Sequence, residues 1–188
     1  LVIRAGMVLP PEEHTALIRE YLISCEEQKR PKRDNARIVL TGCFCEQPPL
    51  GLIKSIEMAG CYVVDDDFGL VHRWLLDEVP ATGDPLQELS KAFLHRSNQQ
   101  ASKYDEKKED KGKQLVHSVK FYGAEGVIFA APSFCDPALL ERPMLQDVLA
   151  KHKIPYTAFK FAENTGQMAP IREQAGTFAD SIKLWSAA

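Results

Sequence analysis

The sequence predicts an α/β fold, a Rossmann-like (flavodoxin-like) three-layer sandwich built on a four-stranded parallel sheet with a helical insertion. Three observations carry this expectation. The uncharged run Gly126-Val127-Ile128-Phe129-Ala130-Ala131, with its β-branched residues, reads as a central strand buried on both faces. Residues 37–64 spell one complete strand–helix–strand crossover, which joins parallel strands with a right-handed connection. From residue 126 onward, strand and helix alternate again up to the last residues, the order expected of a layered α/β domain. A chain of 188 residues is long enough for one well-buried core and too short for two ordinary ones.

Taken in order, Pro10-Pro11-Glu12-Glu13 opens a helix, because proline suits a first turn and acids suit the amino end of the dipole. Leu17, Ile18, Tyr21, Leu22 and Cys25 then share one helical face, so Cys25 reads as a packing residue. The basic run Lys29-Arg30-Pro31-Lys32-Arg33 ends the helix and is better read as a solvated connection than as an anion site. Residues 1–35 are thus a leading helix and linker, and residues 36–188 the Rossmann-like domain. Arg37-Ile38-Val39-Leu40-Thr41 is the first strand. Pro48-Pro49 start a helix that turns Leu52, Ile53, Ile56 and Ala59 inward and stops at Gly60. Cys61-Tyr62-Val63-Val64 is the second strand, ending in Asp65-Asp66-Asp67.

Residues 68–122 form the insertion and hold no convincing strand. A short helix is expected over residues 68–77, and a second one capped by Asp84-Pro85 and bearing Leu86, Leu89, Phe93 and Leu94. Residues 99–113, where charges nearly balance, read as a solvent-exposed helix or mobile loop. Leu115, Val116, Val119 and Tyr122 make an apolar face that leads into Gly123. After the strand at 126–131, Pro143 is expected to break any helix begun at Pro137, which makes residues 136–140 a separate turn and starts the next helix near Pro143. Residues 155–159 form a fourth strand. The last helix carries Ile171, Ala175, Phe178, Ala179, Ile182 and Trp185 along one stripe, enough apolar area to dock on the sheet.

Composition narrows the function classes. With 26% charged residues, 45% hydrophobic residues and a net charge of −3, the chain resembles an average globular protein and predicts neither a nucleic-acid nor a polybasic membrane role. No apolar run approaches a membrane span, and the opening residues lack the pattern of a signal peptide, so a cytoplasmic protein is expected. The first residue is Leu, and Leu-Val-Ile-Arg-Ala-Gly reads as cut from a longer polypeptide. Five cysteines, at 25, 43, 45, 61 and 135, lack the spacing of a disulfide framework and read as core thiols or metal ligands.

If the four strands are parallel, four loops meet at one edge of the sheet: residues 42–47, 65–67, 133–136 and 163–167. Strand-end loops are polar in any protein; thiols there are less ordinary. Cys43 and Cys45 are two apart rather than in C-x-x-C spacing and have no neighbouring His, which argues against zinc and against a Cys–His nucleophile. Cys135 lies just past the strand, in the turn Ser133-Phe134-Cys135-Asp136-Pro137, whose amides suit a thiolate or an anionic cluster. The triple Asp suits Mg²⁺, but a strand end meeting solvent explains it as well. His72 and Trp74 read as packing or surface residues, and His14, His95, His117 and His152 lie on helical faces with no partner pattern. No phosphate-binding glycine motif occurs, so neither a nicotinamide nor an ATP site is expected in the chain.

Several stretches together resemble the benzoyl-CoA reductase and 2-hydroxyacyl-CoA dehydratase family, closest to the electron-accepting, C-type subunits of ATP-dependent reductases. They are Gly42-Cys43-Phe44-Cys45-Glu46-Gln47-Pro48-Pro49, residues 60–67, residues 126–137, Ala162-Glu163-Asn164-Thr165-Gly166-Gln167 and Gln174-Ala175-Gly176-Thr177-Phe178. The likeness runs from about residue 36 to the end. It implies a [4Fe-4S] cluster with three cysteine ligands per subunit, of which Cys135 matches the last, and an amino-terminal cluster domain that this chain lacks. It also implies single-electron delivery to an aromatic acyl-CoA for ring reduction, with ATP used only by a separate iron–sulfur activator subunit. A homologous substrate-binding subunit and ferredoxin, the upstream donor, complete the expected partners. Cys45, Glu46, Gln47, Glu163, Asn164 and Gln167 are the candidates for the substrate side. The rivals are a dehydratase that uses the same cluster as a radical lyase, and a non-catalytic Rossmann-like interaction module in which Cys135 is merely buried.

Overall fold

The computed structural model describes residues 2–42, 48–68, 78–96, 110–162 and 168–186. The chain divides into two compact units, Leu1–Asp34 and Asn35–Ala188. In the first, α1 (Val2–Ala5) is followed by α2 (Pro11–Glu27), which has Pro10 as N-cap and Glu12 and Glu13 in its first turn. The His14 ring nitrogen Nε2 bonds the carbonyl of Val2 at 2.9 Å, a partner the pattern of histidines did not suggest. None of the residues of α2 is buried, and Cys25 is exposed. The expectation that Cys25 packs is therefore corrected: a single helix with one short neighbour supplies too little surface to bury a whole face.

The second unit is built on β1 (Ala36–Thr41), β2 (Cys61–Asp66), β3 (Gly126–Pro132) and β4 (Tyr156–Phe161), all parallel in the order β2-β1-β3-β4. Its helices are α3 (Leu50–Met58), α4 (Pro85–Arg96), α5 (Asp110–Phe121), α6 (Asp136–Lys151) and α7 (Met168–Ser186). Successive side chains of a strand point to opposite faces, and the two central strands follow that rule. Ile38, Leu40, Ile128 and Ala130 pack with Leu52 and Ile56 of α3 and with Ile171, Ala175, Phe178, Ala179 and Ile182 of α7. Val39, Val127 and Phe129 pack instead with Val116 and Val119 of α5 and Leu149 of α6. The result is the three-layer sandwich. Each large aliphatic side chain fully removed from water, such as Ile38, Leu52, Ile56 or Ile128, contributes about 1.5–3 kcal/mol.

Chain direction from β1 runs to β2 on one side and from β3 to β4 on the other, so the carboxyl ends of β1 and β3 flank the point where the strand order reverses. This is the position at which open α/β sheets take ligands. Gly60 and Gly123, at φ +97° and +60°, end the turns that lead into β2 and toward β3.

Two expectations are revised by packing. Asp65 and Asp66 belong to β2 rather than to its exit loop. The other is α6, which runs without interruption from Asp136 through Pro143 to Lys151. Pro143 has no N–H to offer the carbonyl of Leu139, a local cost of about 3 kcal/mol in a helix interior. Buried side chains on both sides of it, Ala138 before and Leu149 after, hold the two halves against the sheet and outweigh that loss. The insertion contains α4, with Asp84 Oδ1 accepting from the Leu86 N–H at 3.3 Å as an N-cap does. It also contains α5, whose first turn takes up residues 110–113 of the charged stretch.

Candidate functional site at the carboxyl edge of the sheet

β3 ends at Pro132, and the chain turns through Ser133 and Phe134 to reach Cys135, the N-cap of α6. The turn is held at every step. Ser133 donates to the carbonyl of Phe161, the last residue of β4, through both its backbone N–H at 2.8 Å and its hydroxyl at 3.0 Å. Cys135 N–H donates to the carbonyl of Pro132 at 3.0 Å, and the Cys135 carbonyl accepts the first helical bond, from Leu139 N–H at 3.1 Å. The thiol makes no capping bond to α6. It is 1% exposed and packs with Ala131, Ala138 and Leu139. Phe134, one residue earlier, is 95% exposed. Sequence and structure thus agree in placing Cys135 just beyond a central strand, at a helix amino terminus whose partial positive charge favours a thiolate.

Beside it, the exit of β1 is tied to the exit of β2. Asp67 Oδ2 accepts from the Thr41 hydroxyl at 2.7 Å and from the Gly42 N–H at 2.9 Å. Gly42 has φ +103°, and a Cβ there would stand 3.1 Å from the Ala130 carbonyl oxygen, so the position calls for glycine on both counts. The three consecutive aspartates have three different surroundings. Asp66 Oδ1 accepts from the Phe68 N–H at 2.9 Å, Asp67 holds Thr41 and Gly42, and Asp65 is 8% exposed on the opposite face of β2 from Asp66. A bulge explains the last. Ile38 pairs with Val63 but Val39 pairs with Asp65, which leaves Val64 as the extra residue and turns Asp65 onto the face of Val39.

That face opens into a cleft of about 530 Å³ between the ends of β1 and β2 and the helices α5 and α6, lined by Thr41, Asp65, Asp66, Asp67, Lys111, Gln114, Ser118 and Glu141 among others. Lys111 and Glu141 form an ion pair across it. Burial first, and then the charges of Asp65 and Asp66, hold the Tyr122 phenol above its usual pKa. Among the described residues no three His, Cys, Asp or Glu side chains are arranged to hold a metal ion, which removes a Mg²⁺ site built from the three aspartates alone. Cys61, by contrast with Cys135, is fully buried at the start of β2, with its sulfur 3.9 Å from the Ala175 carbonyl. Desolvation, helped by the Glu57 charge, raises this thiol to a pKa of about 11, which makes it a core residue and a poor nucleophile.

Cys43, Cys45, Glu46, Gln47, Glu163, Asn164 and Gln167 lie outside the described residues, as do His72 and Trp74. What the topology does establish is that their flanking strand ends, Thr41 and Phe161, stand on either side of β3 at the same edge as Cys135. The ties from Asp67 and Ser133 were not foreseen from the sequence. Acceptor or donor is a backbone group in most of them, and backbone partners leave no mark in residue identity.

No helix among the described residues is long and apolar enough to cross a membrane. Comparison with known proteins gives the chain its relatives. It is 63% identical to the C-type subunit of benzoyl-CoA reductase from Thauera aromatica over 99% of its own residues and 48% of that protein. Similarity extends at 26% identity to the beta subunit of (R)-2-hydroxyglutaryl-CoA dehydratase of Acidaminococcus fermentans, covering 96% of this chain and 48% of the relative. It also extends at 24% identity to the (R)-phenyllactyl-CoA dehydratase beta subunit of Clostridium sporogenes, over 96% of this chain and 47% of the relative. The chain spans about half the length of the curated relatives it matches. The family model for 2-hydroxyglutaryl-CoA dehydratase, D-component, matches residues 1–182, nearly the whole chain. With that match and a relative at 63% identity, this chain belongs to the 2-hydroxyglutaryl-CoA dehydratase D-component family.

Proposed function

We propose that this chain is part of the electron-accepting subunit of an ATP-dependent benzoyl-CoA reductase, and that Cys135 is one ligand of its [4Fe-4S] cluster. The observation that carries the reading is 63% identity, sustained over 99% of the chain, to a protein named as the C-type subunit of benzoyl-CoA reductase. The dehydratase beta subunits, at 26% and 24%, are far more distant, which favours ring reduction over dehydration.

Chemically, Cys135 suits the role. A cluster ligand must be a thiolate screened from bulk water, and this sulfur is 1% exposed at the amino end of a 16-residue helix. One thiol cannot hold a cluster, so the remaining ligands come from outside the described residues. When bound, the cluster supplies storage and delivery of single electrons at low potential, the requirement for reducing an aromatic thioester. The chain's own residues fix Cys135 by backbone bonds, keep water from its sulfur with Ala131, Ala138 and Leu139, and bring the ends of β1, β3 and β4 to one edge. Cys45, Glu46, Gln47, Glu163, Asn164 and Gln167 then line the substrate side, with a homologous subunit completing the pocket for an aromatic acyl-CoA. ATP is hydrolysed by a separate iron–sulfur activator, which ferredoxin reduces, and the complex works in the cytoplasm.

Iron, sulfide and electron paramagnetic resonance measured on the anaerobically purified enzyme, beside its Cys135→Ala variant, test the ligand. About four irons in the parent and loss of the signal in the variant are expected; an unchanged signal removes Cys135 from the cluster. Assaying benzoyl-CoA reduction against 2-hydroxyacyl-CoA dehydration decides between the reductase and dehydratase readings.

A further inference from the structure

Resting on the cluster reading above, we propose that Ser133 is a positioning residue for the Cys135 thiolate. Ser133 is the hinge between β3 and the turn that presents Cys135. Its N–H already satisfies the Phe161 carbonyl at 2.8 Å, yet its hydroxyl donates to the same oxygen at 3.0 Å. For closing the sheet, one of the two bonds is enough. The second fixes the side-chain rotamer and backbone of Ser133 together, and so sets the path of the two residues that follow.

Everything downstream is short and tied. From Ser133 the chain reaches Cys135 in two steps, with Cys135 N–H held by Pro132 and its carbonyl already in the first turn of α6. Phe134 contributes no packing to this hold, being 95% exposed. A sulfur that is 1% exposed behind Ala131, Ala138 and Leu139 reaches a reagent only when the turn opens, and the hydroxyl bond of Ser133 is a contact that such opening breaks. Because Phe161 ends β4, the same bond also sets the distance between Cys135 and the end of the neighbouring strand.

The test compares Ser133→Ala, Ser133→Thr and Ser133→Val in the anaerobically purified enzyme. Two signals are read: the resonance spectrum and midpoint potential of the cluster, and the rate at which iodoacetamide alkylates Cys135 after iron is removed by chelation. The threonine variant, which keeps the hydroxyl, is expected to match the parent in both. The alanine and valine variants are expected to keep their iron but show an altered spectrum and potential, and about five- to tenfold faster alkylation, the effect of losing one hydrogen bond on a local opening. Parental alkylation and parental spectra in the alanine and valine variants overturn the proposal, and so does a threonine variant as altered as the valine one. Should the alanine variant fail to fold, the isosteric threonine and valine pair answers the same question. Failure of the underlying reading shows separately, as a Cys135→Ala variant that retains its iron.

Discussion

The two ends of the sheet are finished in different ways. At the amino end, charge and backbone seal the structure. Glu125 accepts the Arg37 N–H at 2.8 Å and the Lys183 ammonium at 2.9 and 3.0 Å, while the Arg37 guanidinium donates to the carbonyls of Tyr122 and Gly123 that end α5. Gly126 lies under Phe178 and Ile182 with no room for a side chain. At the carboxyl end the ties are fewer and run between strand exits: Asp67 to Thr41 and Gly42, Ser133 to Phe161. One end is built to hold the fold, the other to hold loops in register around Cys135. Substitutions at the amino end should therefore lower stability and spare chemistry, whereas those at the carboxyl end should do the reverse.

The sharpest separation is expected from Cys135→Ala. Electron transfer in the complete enzyme should be abolished, while urea unfolding shows a loss of only about 1 kcal/mol, the cost of trimming a small buried thiol. A loss of several kcal/mol would place Cys135 among the purely structural residues. At the opposite end, Gly126→Ala should cost about 1–3 kcal/mol by overpacking. The new Cβ would meet Ile182 Cδ1 and Phe178 Cζ at 2.8 Å and the Pro155 carbonyl oxygen at 3.1 Å, and the last of these cannot rotate away. Chemical denaturation reads the loss, and the iron content should not change.

Glu125→Ala should cost about 1–2 kcal/mol, because one backbone donor loses its side-chain acceptor and the ion pair, about a quarter exposed, is screened by water. Raising the salt concentration should shrink the difference between parent and variant. The smallest effect is a pH dependence from Cys61. Its thiol titrates near 11 in the folded chain and near 9 when unfolded, so above pH 9 the unfolded chain releases a proton that the native one keeps. Stability is whole below pH 9 and declines toward pH 11 by up to about 1.4 kcal/mol per pH unit from this group. Denaturation of a Cys61→Ala variant, followed over the same range, should lack that component.

Much of this was legible before any coordinates. The apolar run at 126–131 could only be a doubly buried strand, and the stripe from Ile171 to Ile182 could only be a helix docked on a sheet, because periodicity and side-chain volume act locally. Cys135 was placed at the end of a central strand for the same reason. Its proposed role as a ligand, though, came from resemblance and not from spacing, since one thiol has no pattern.

Tertiary structure decided the rest, and the cause is common to every instance. Pro143 sits inside a continuous helix because Ala138 and Leu149 are buried together on the sheet, a balance between one missing hydrogen bond and packing on both sides of it. Asp65 faces the cleft because Val64 bulges out of a pairing between strands more than twenty residues apart. Asp67 and Ser133 act through acceptors and donors of the main chain, which carry no sequence signal. Cys25 stays exposed because an amphipathic stripe announces only that a face is apolar, not that a partner exists to cover it. Local chemistry was determined by the residues themselves; which groups meet across the sheet was determined by the fold, because those meetings join residues that are distant in sequence and depend on register.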